Sequence, residues 1–237
     1  MTAFEALLEV QDRDTAVDQL RHRRAHLPER AHVAALEERM GALDARVADV
    51  GAQRAVVASR QSRLEEEVRS LDQRIAEIER RLYSGTVTAH RDLQAMAAEA
   101  ESLKARRSAV EDEVLVAMEE GEPLADELAA LESERAALEA EVGQARDGLV
   151  RAEADVEAHI AAQEADRAGI SRRIPTDLLS TYERLRAKLG GVGAARLVGS
   201  SCSGCHLTLP AAEVARIKRE PPDALVLCDQ CGRILVR

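Results

Sequence analysis

The chain has 237 residues, a formal net charge of −10, 32% charged side chains, and only two Tyr and one Phe for aromatics. That excludes one large globular core, and the dominance of Ala, Leu, Glu and Arg is the composition of long helices and coiled coils. Regularly spaced Ala, Leu and Val also exclude a disordered acidic chain.

Charge divides the chain unevenly. Residues 1–169 hold 22 Lys+Arg against 37 Asp+Glu, whereas residues 170–237 hold 11 against 6. An acidic rod therefore ends in a basic head, which disfavours nucleic acid along the rod but leaves it open at the head. The opening Met1-Thr2-Ala3-Phe4-Glu5 has no basic n-region and no long apolar run follows it, so neither export nor a membrane span is expected and the cytoplasm is the expected location.

In chain order, the first predicted element is a helical arm from about Thr2 to Tyr83. From Val33 onward, Leu36, Met40, Leu43, Val47, Val50, Val57, Leu64, Val68, Leu71, Ile75, Ile78 and Leu82 keep one heptad frame. Val10, Val17, Leu20 and Leu27 follow another, and the change falls at Leu27-Pro28, where proline removes an amide and kinks or restarts the helix. The stretch Leu82 to Thr88, with Ser84-Gly85 at its centre, breaks the pattern as a turn, tip about 83–88. A second arm is expected from Thr88, as N-cap, to about Gly169, with Leu93, Met96, Leu103, Val110, Val114, Leu124, Leu128, Leu131, Leu138, Val142, Leu149 and Val156 in one frame.

The fold class expected is mainly α: a long antiparallel coiled-coil hairpin (residues 1–173, kink near 28), followed by a small C-terminal zinc-ribbon β domain. Folding the arms on each other pairs Ile75 with Met96, Val68 with Leu103 and Leu27 with Val142, and sets Gly121 opposite Val50. Charge favours this pairing, because residues 1–84 are nearly balanced (14 basic, 16 acidic) and residues 85–169 strongly acidic (8 basic, 21 acidic). Arg54, Arg107 and Arg135 at core positions are expected to set register or snorkel.

Ile174-Pro175 should end the rod. A helical neck (174–193) follows, with Tyr182 as its core anchor and Gly190-Gly191 closing its helix. Residues 194–237 then alternate predicted strands (195–198, 224–227, 234–236) with the turns Cys202-Ser203-Gly204-Cys205 and Cys228-Asp229-Gln230-Cys231, and with a helix over 211–219.

Two CxxC turns offer four thiolates, which meet the tetrahedral, borderline-soft preference of zinc. About 40 residues bury too little to fold alone, and a metal supplies the missing stability. One structural Zn2+ held by Cys202, Cys205, Cys228 and Cys231 is expected, with no open coordination position for catalysis. Losing a ligand should unfold the ribbon and leave the rod helical. Cys202 to His206 also satisfies CxxCH, the c-type haem attachment pattern, but haem would strand Cys228 and Cys231.

No phosphate-binding loop, GxSxG, HExxH or nucleophile with a nearby base is present, so no enzyme is expected. Arg216, Lys218, Arg219 and Arg233 are the candidate nucleic-acid or partner contacts of the head, to be weighed against ordinary solvated charge. Tyr83 and Arg91 are the candidate contacts at the tip.

The tip Leu82-Tyr83-Ser84-Gly85-Thr86-Val87-Thr88 with Arg91-Asp92-Leu93-Gln94, the Ile174-Pro175 break, Tyr182-Glu183-Arg184-Leu185-Arg186 and the two cysteine knuckles resemble the bacterial family of coiled-coil hairpins ending in a four-cysteine zinc ribbon. The resemblance implies a non-enzymatic adaptor or chaperone-like protein with protein partners. Some members are linked to a flagellar or alternative sigma factor and to RNA. The expected partners are therefore a protein, with a sigma factor or transcription machinery as candidates, or nucleic acid at the basic head; no membrane is expected, and the chain is expected as a monomer or weak dimer. An RNA-polymerase channel factor ranks last, because Arg80, Arg81, Tyr83, His90 and Arg91 replace the acidic tip that such proteins use.

Overall fold

The computed structural model describes residues 2–237. Four helices come first: α1 (Ala3–Ala25), α2 (Pro28–Tyr83), α3 (His90–Ser171) and α4 (Thr176–Lys188). The remainder holds β1 (Ala194–Val198), β2 (Ser201–Cys202), α5 (Ala211–Arg219) and β3 (Ile234–Val236). It is a long helical hairpin followed by a small strand region. The chain divides into two compact units, Met1–Val33 with Ala145–Arg237 and, separately, Ala34–Gln144.

Sequence chemistry accounts for the element ends. Thr2 caps α1 through a reciprocal box: Glu5 N–H donates to Thr2 Oγ1 at 3.2 Å and Thr2 N–H donates to Glu5 Oε2 at 2.7 Å. Pro28 begins α2 after a two-residue break. At the tip, α3 starts at His90, where the Asp92 and Leu93 amides donate to the Ala89 carbonyl. Thr88 is therefore not the cap the sequence suggested; the first turn of α3 closes on the Ala89 carbonyl. Gly190 and Gly191, at φ +71° and +96°, end the neck in a conformation that glycine tolerates best.

Within Ala34–Gln144 the seam follows the heptads. Leu36, Leu43, Val50, Leu71, Ile75, Val110, Leu131, Leu138 and Val142 are buried, and Ala100 and Ala117 join them. Ion pairs flank this seam from helix to helix: Arg60 with Glu120, Arg106 with Glu67 at 2.6 Å, and Lys104 with Glu79 at 2.9 Å. Arg107 and Arg135 leave the seam to reach Asp72 and Asp44, at 3.0 and 2.6 Å.

The register differs from expectation. Gly121 faces Val57, whose Cγ1 would lie 3.6 Å from an added Cβ, and does not sit opposite Val50. The arms are thus shifted by one heptad. In the other unit, Leu27 shares a core with Val17, Val156 and Ile160, and Arg30 pairs with Glu153, so Leu27 packs beyond Val142 toward the end of α3. A seven-residue repeat makes such registers equivalent in hydrophobic pattern, and only the length of the turn and individual charges separate them.

The first unit also holds the strand region. Its sheet has the order β2-β1-β3, with β1 antiparallel to β2 and parallel to β3. Residues 224–227 do not form the strand predicted for them. They contribute one bridge, Leu227 to Ile234, and the amide of Leu235 donates to Val226 O at 2.8 Å. Pro221-Pro222 on one side and the Cys228 turn on the other leave no room for a longer ladder.

Candidate metal centre and contact surfaces

Two cores meet at the sheet. On one side Ala195, Cys202, Leu209, Val214, Ile217, Val226, Cys228 and Leu235 cluster around the cysteines. On the other, Ala6, Leu7 and Val10 of α1 pack with Ile174, Tyr182, Ala194 and Ile234. The strand region is therefore covered by the start of the first helix, a contact the heptad list did not reveal.

Polar groups tie the same elements together. Gln11, only 5% exposed, accepts at Oε1 from the Gly193 amide (2.7 Å) and the Ala194 amide (3.3 Å), and donates from Nε2 to Gly191 O at 3.0 Å. Asp14, 6% exposed, accepts from Tyr182 Oη and Arg167 Nε, both at 2.7 Å, with Arg186 Nε at 3.5 Å. A buried carboxylate is tolerated because its oxygens are paired in this way. Burial, then the bond to Asp14, pushes the Tyr182 hydroxyl pKa well up, so it stays a donor. Tyr182 is the neck anchor expected of it, and it is fully buried.

The two cysteine turns have one construction. Cys202 N–H donates to Leu207 O (3.1 Å) and His206 N–H to Cys202 O (2.8 Å); Cys228 N–H donates to Arg233 O (2.9 Å) and Gly232 N–H to Cys228 O (2.7 Å). The residue after each second cysteine is left-handed: His206 at φ +61°, Gly232 at φ +73°. His206 thus fills a turn position that the second knuckle gives to glycine, and its side chain is exposed. That local geometry explains CxxCH without haem. Gly204 is required by close approach, since a Cβ there would lie 2.6 Å from Arg233 Cδ and 2.8 Å from Ala195 Cβ.

All four Sγ atoms lie within 4.8 Å of one another, and Cys202 and Cys231 are 4.0 Å apart. Thiolates about 2.3 Å from a tetrahedral zinc sit about 3.8 Å from each other, so the set fits one structural zinc ion with every position filled by sulfur. The ion would supply the cross-link between the knuckles. In the metal-free ribbon, burial pushes the Cys228 thiol up to about 12 and raises Cys202 as well. Burial acts the same way on Cys231, but hydrogen bonds from the Arg233 amide and guanidinium hold that thiol down to about 7.

The candidate contact residues have different settings. Arg233 is half-buried and turned inward, donating from Nε to Val192 O (3.0 Å) and from Nη2 to Leu189 O (3.3 Å) at the end of the neck. Arg216 is exposed and lies 3.4 Å from Asp229. Lys218 and Arg219 are exposed on α5. Arg237, for which the sequence offered no signal beyond its charge, closes the end of α5 by donating to Ile217 O (2.8 Å) and Glu220 O (2.7 Å). At the tip Tyr83 is 83% exposed and Arg91 is exposed. Four aliphatic side chains of the ribbon are also exposed: Val198, Leu207, Leu225 and Leu227.

These features define a helical-hairpin protein with a four-cysteine ribbon. The description of the CT398-like coiled coil hairpin domain matches residues 10–190, and that of the C4-type zinc ribbon domain matches residues 201–235. The chain belongs to the CT398-like coiled-coil hairpin family. The Mycobacterium tuberculosis protein Rv2229c is 29% identical over 232 residues, which span 98% of this chain and 94% of that one. A solved structure from Mycobacterium smegmatis superposes with a TM-score of 0.89 at 25% identity, covering 99% of this chain and 97% of its own. CT398 from Chlamydia trachomatis shares the fold, with a TM-score of 0.69 at 18% identity and the same coverage of both chains. No helix among the described residues is long and apolar enough to cross a membrane.

Proposed function

We propose that this chain is a non-enzymatic adaptor, chaperone-like in its use of a long hairpin, whose zinc ribbon docks a protein partner linked to transcription or assembly. The observation that carries this reading is the exposure of Val198, Leu207, Leu225 and Leu227 on a ribbon whose zinc ligands are all sulfur. A saturated metal gives the ribbon rigidity and leaves it no Lewis-acid position, and exposed aliphatics around a rigid core suit protein recognition. Exposed Tyr83 and Arg91 make the tip the second contact surface. A reduced four-thiol site suits the cytoplasm, and the acidity of α3 supports a monomer or weak dimer.

The test is affinity purification from the native cell after nuclease treatment, comparing the full chain with a Val198→Ser, Leu207→Ser, Leu225→Ser variant. A stable protein partner lost in the variant is expected. Recovery of no protein, or equal recovery by both, removes the reading. Whole-ribbon deletion is a poor control, because residues 194–237 cover Leu7 and Val10 of α1.

A second reading, RNA or DNA binding by the head, is supported by Arg216, Lys218 and Arg219 on one short exposed helix. Against it, Arg233 and Arg237 are engaged by backbone carbonyls of their own chain. It requires an affinity that falls steeply with salt and with those three residues changed to Ala; salt-insensitive or absent binding ends it.

A further inference from the structure

The acidic α3 carries an apolar patch that neither the tip nor the ribbon explains. Leu115, Val116 and Met118 are 56%, 51% and 50% exposed, while Ala117 between them is fully buried in the seam. Asp112, Leu115, Val116 and Glu119 fall at i, i+3, i+4 and i+7, on one outward stripe, with Met118 and Glu122 along its edge. Three large aliphatic side chains in four residues are not needed for a two-helix seam, which is already filled by Val110, Val114, Ala117 and Gly121 on the opposite side.

Charge says what kind of molecule fits there. From Ser108 to Glu134 the chain has ten carboxylates and no Lys or Arg. Glu111, Glu120 and Glu127 are paired to Arg107, Arg60 and Arg46. Asp112, Glu119 and Glu122, the acids that share the outward stripe with the aliphatics, have no ion pair among the described residues. A second α3 would bring like charges together, and a nucleic acid would be repelled.

We infer that the outward face of α3 around Leu115 and Met118 is a docking surface for a basic amphipathic helix of another protein. Its aliphatic stripe would lie on Leu115, Val116 and Met118, and its flanking Lys or Arg would meet Asp112, Glu119 and Glu122. The inference rests on the adaptor reading and adds a surface to it. Because the adaptor reading is tested at the ribbon, the two fail separately.

The probe is a fluorescent helical peptide of about five turns with Leu on one face and Lys on the other, titrated against the full zinc-bound chain. Saturable binding is expected, weakened about tenfold by Leu115→Ser with Met118→Ser. Glu119→Gln with Glu122→Gln should weaken it and flatten its dependence on salt. These positions are exposed, so helix content should not change, and circular dichroism checks that. Equal affinity for both double variants and the unaltered chain overturns the inference. So does equal binding of a Leu/Glu counterpart peptide. A dimer in sedimentation that dissolves on Leu115→Ser with Met118→Ser would make a second copy the occupant and overturn it as well.

Discussion

Tyr182 Oη donates to Asp14 Oδ2 at 2.7 Å, joining the neck helix to the first helix across 168 positions of sequence. Arg167 brings the end of α3 to the same carboxylate. One buried acid therefore holds three helices beneath the sheet that carries the metal site. Beside it, Gln11 holds the amides that lead into β1.

Removing the hydroxyl and removing the acid should have different effects. Tyr182→Phe leaves Asp14 paired to both arginines and should cost about 1 kcal/mol in chemical denaturation. Asp14→Ala leaves the buried Tyr182 hydroxyl without its acceptor and removes one carboxylate from Arg167 and Arg186, which keep Glu183 and Asp18, and should cost about 3 kcal/mol. Equal losses would mean that the ion pairs contribute nothing.

The knuckles give opposite predictions for two small changes. Gly204→Ala drives a methyl against Arg233 and Ala195, so zinc should bind at least about tenfold more weakly in a competition titration. His206→Gly removes a left-handed non-glycine residue and should leave zinc content unchanged, with a gain of about 1 kcal/mol in ribbon stability. A His206 variant that lost its metal would make His206 a ligand and contradict the four-sulfur site.

Zinc uptake should release protons. Without zinc the ribbon loses its fold, and an ordinary cysteine thiol, with a pKa of about 8.5, is mostly protonated at pH 7. Protons compete for the same sulfurs, so affinity must fall as pH falls from 8 to 6, with at least two protons released per ion at pH 7. Calorimetry in two buffers of different ionisation enthalpy measures that number. A pH-independent affinity would contradict the thiolate site.

The hairpin register can be read by cross-linking. With the native thiols holding zinc, Val57→Cys with Gly121→Cys should oxidise to a disulfide, and Val50→Cys with Gly121→Cys should not, because one heptad of helix separates them by about 10 Å. The reverse result would restore the register that the hydrophobic pattern alone suggests.

Much of this molecule is legible in its sequence, for identifiable reasons. Pro28 and Pro175 mark breaks because proline lacks an amide, and the two CxxC turns mark a metal because four soft donors at that spacing have few other uses. The register was not legible, since Val50 and Val57 occupy equivalent heptad positions. The docking of α1 was hidden because a heptad list records aliphatics only, and its contact face interleaves Leu7 and Val10 with Gln11 and Asp14. A polar pair inside an apolar helical stripe was the available signal. Arg233 lay among other basic residues in a basic head, and nothing local in the sequence showed that its guanidinium would turn toward Leu189 and Val192.

The most direct test of the account is hydrogen exchange on the full chain, with and without a zinc chelator. The shared core of Leu7, Val10, Tyr182, Ala194 and Ile234 makes the ribbon, α4 and the first half of α1 one zinc-dependent unit. Removing zinc should therefore strip protection from residues 194–237, from α4 and from α1 up to about Asp14, and leave Ala34–Gln144 protected. Loss confined to residues 194–237 would make the ribbon an independent appendage and contradict the account.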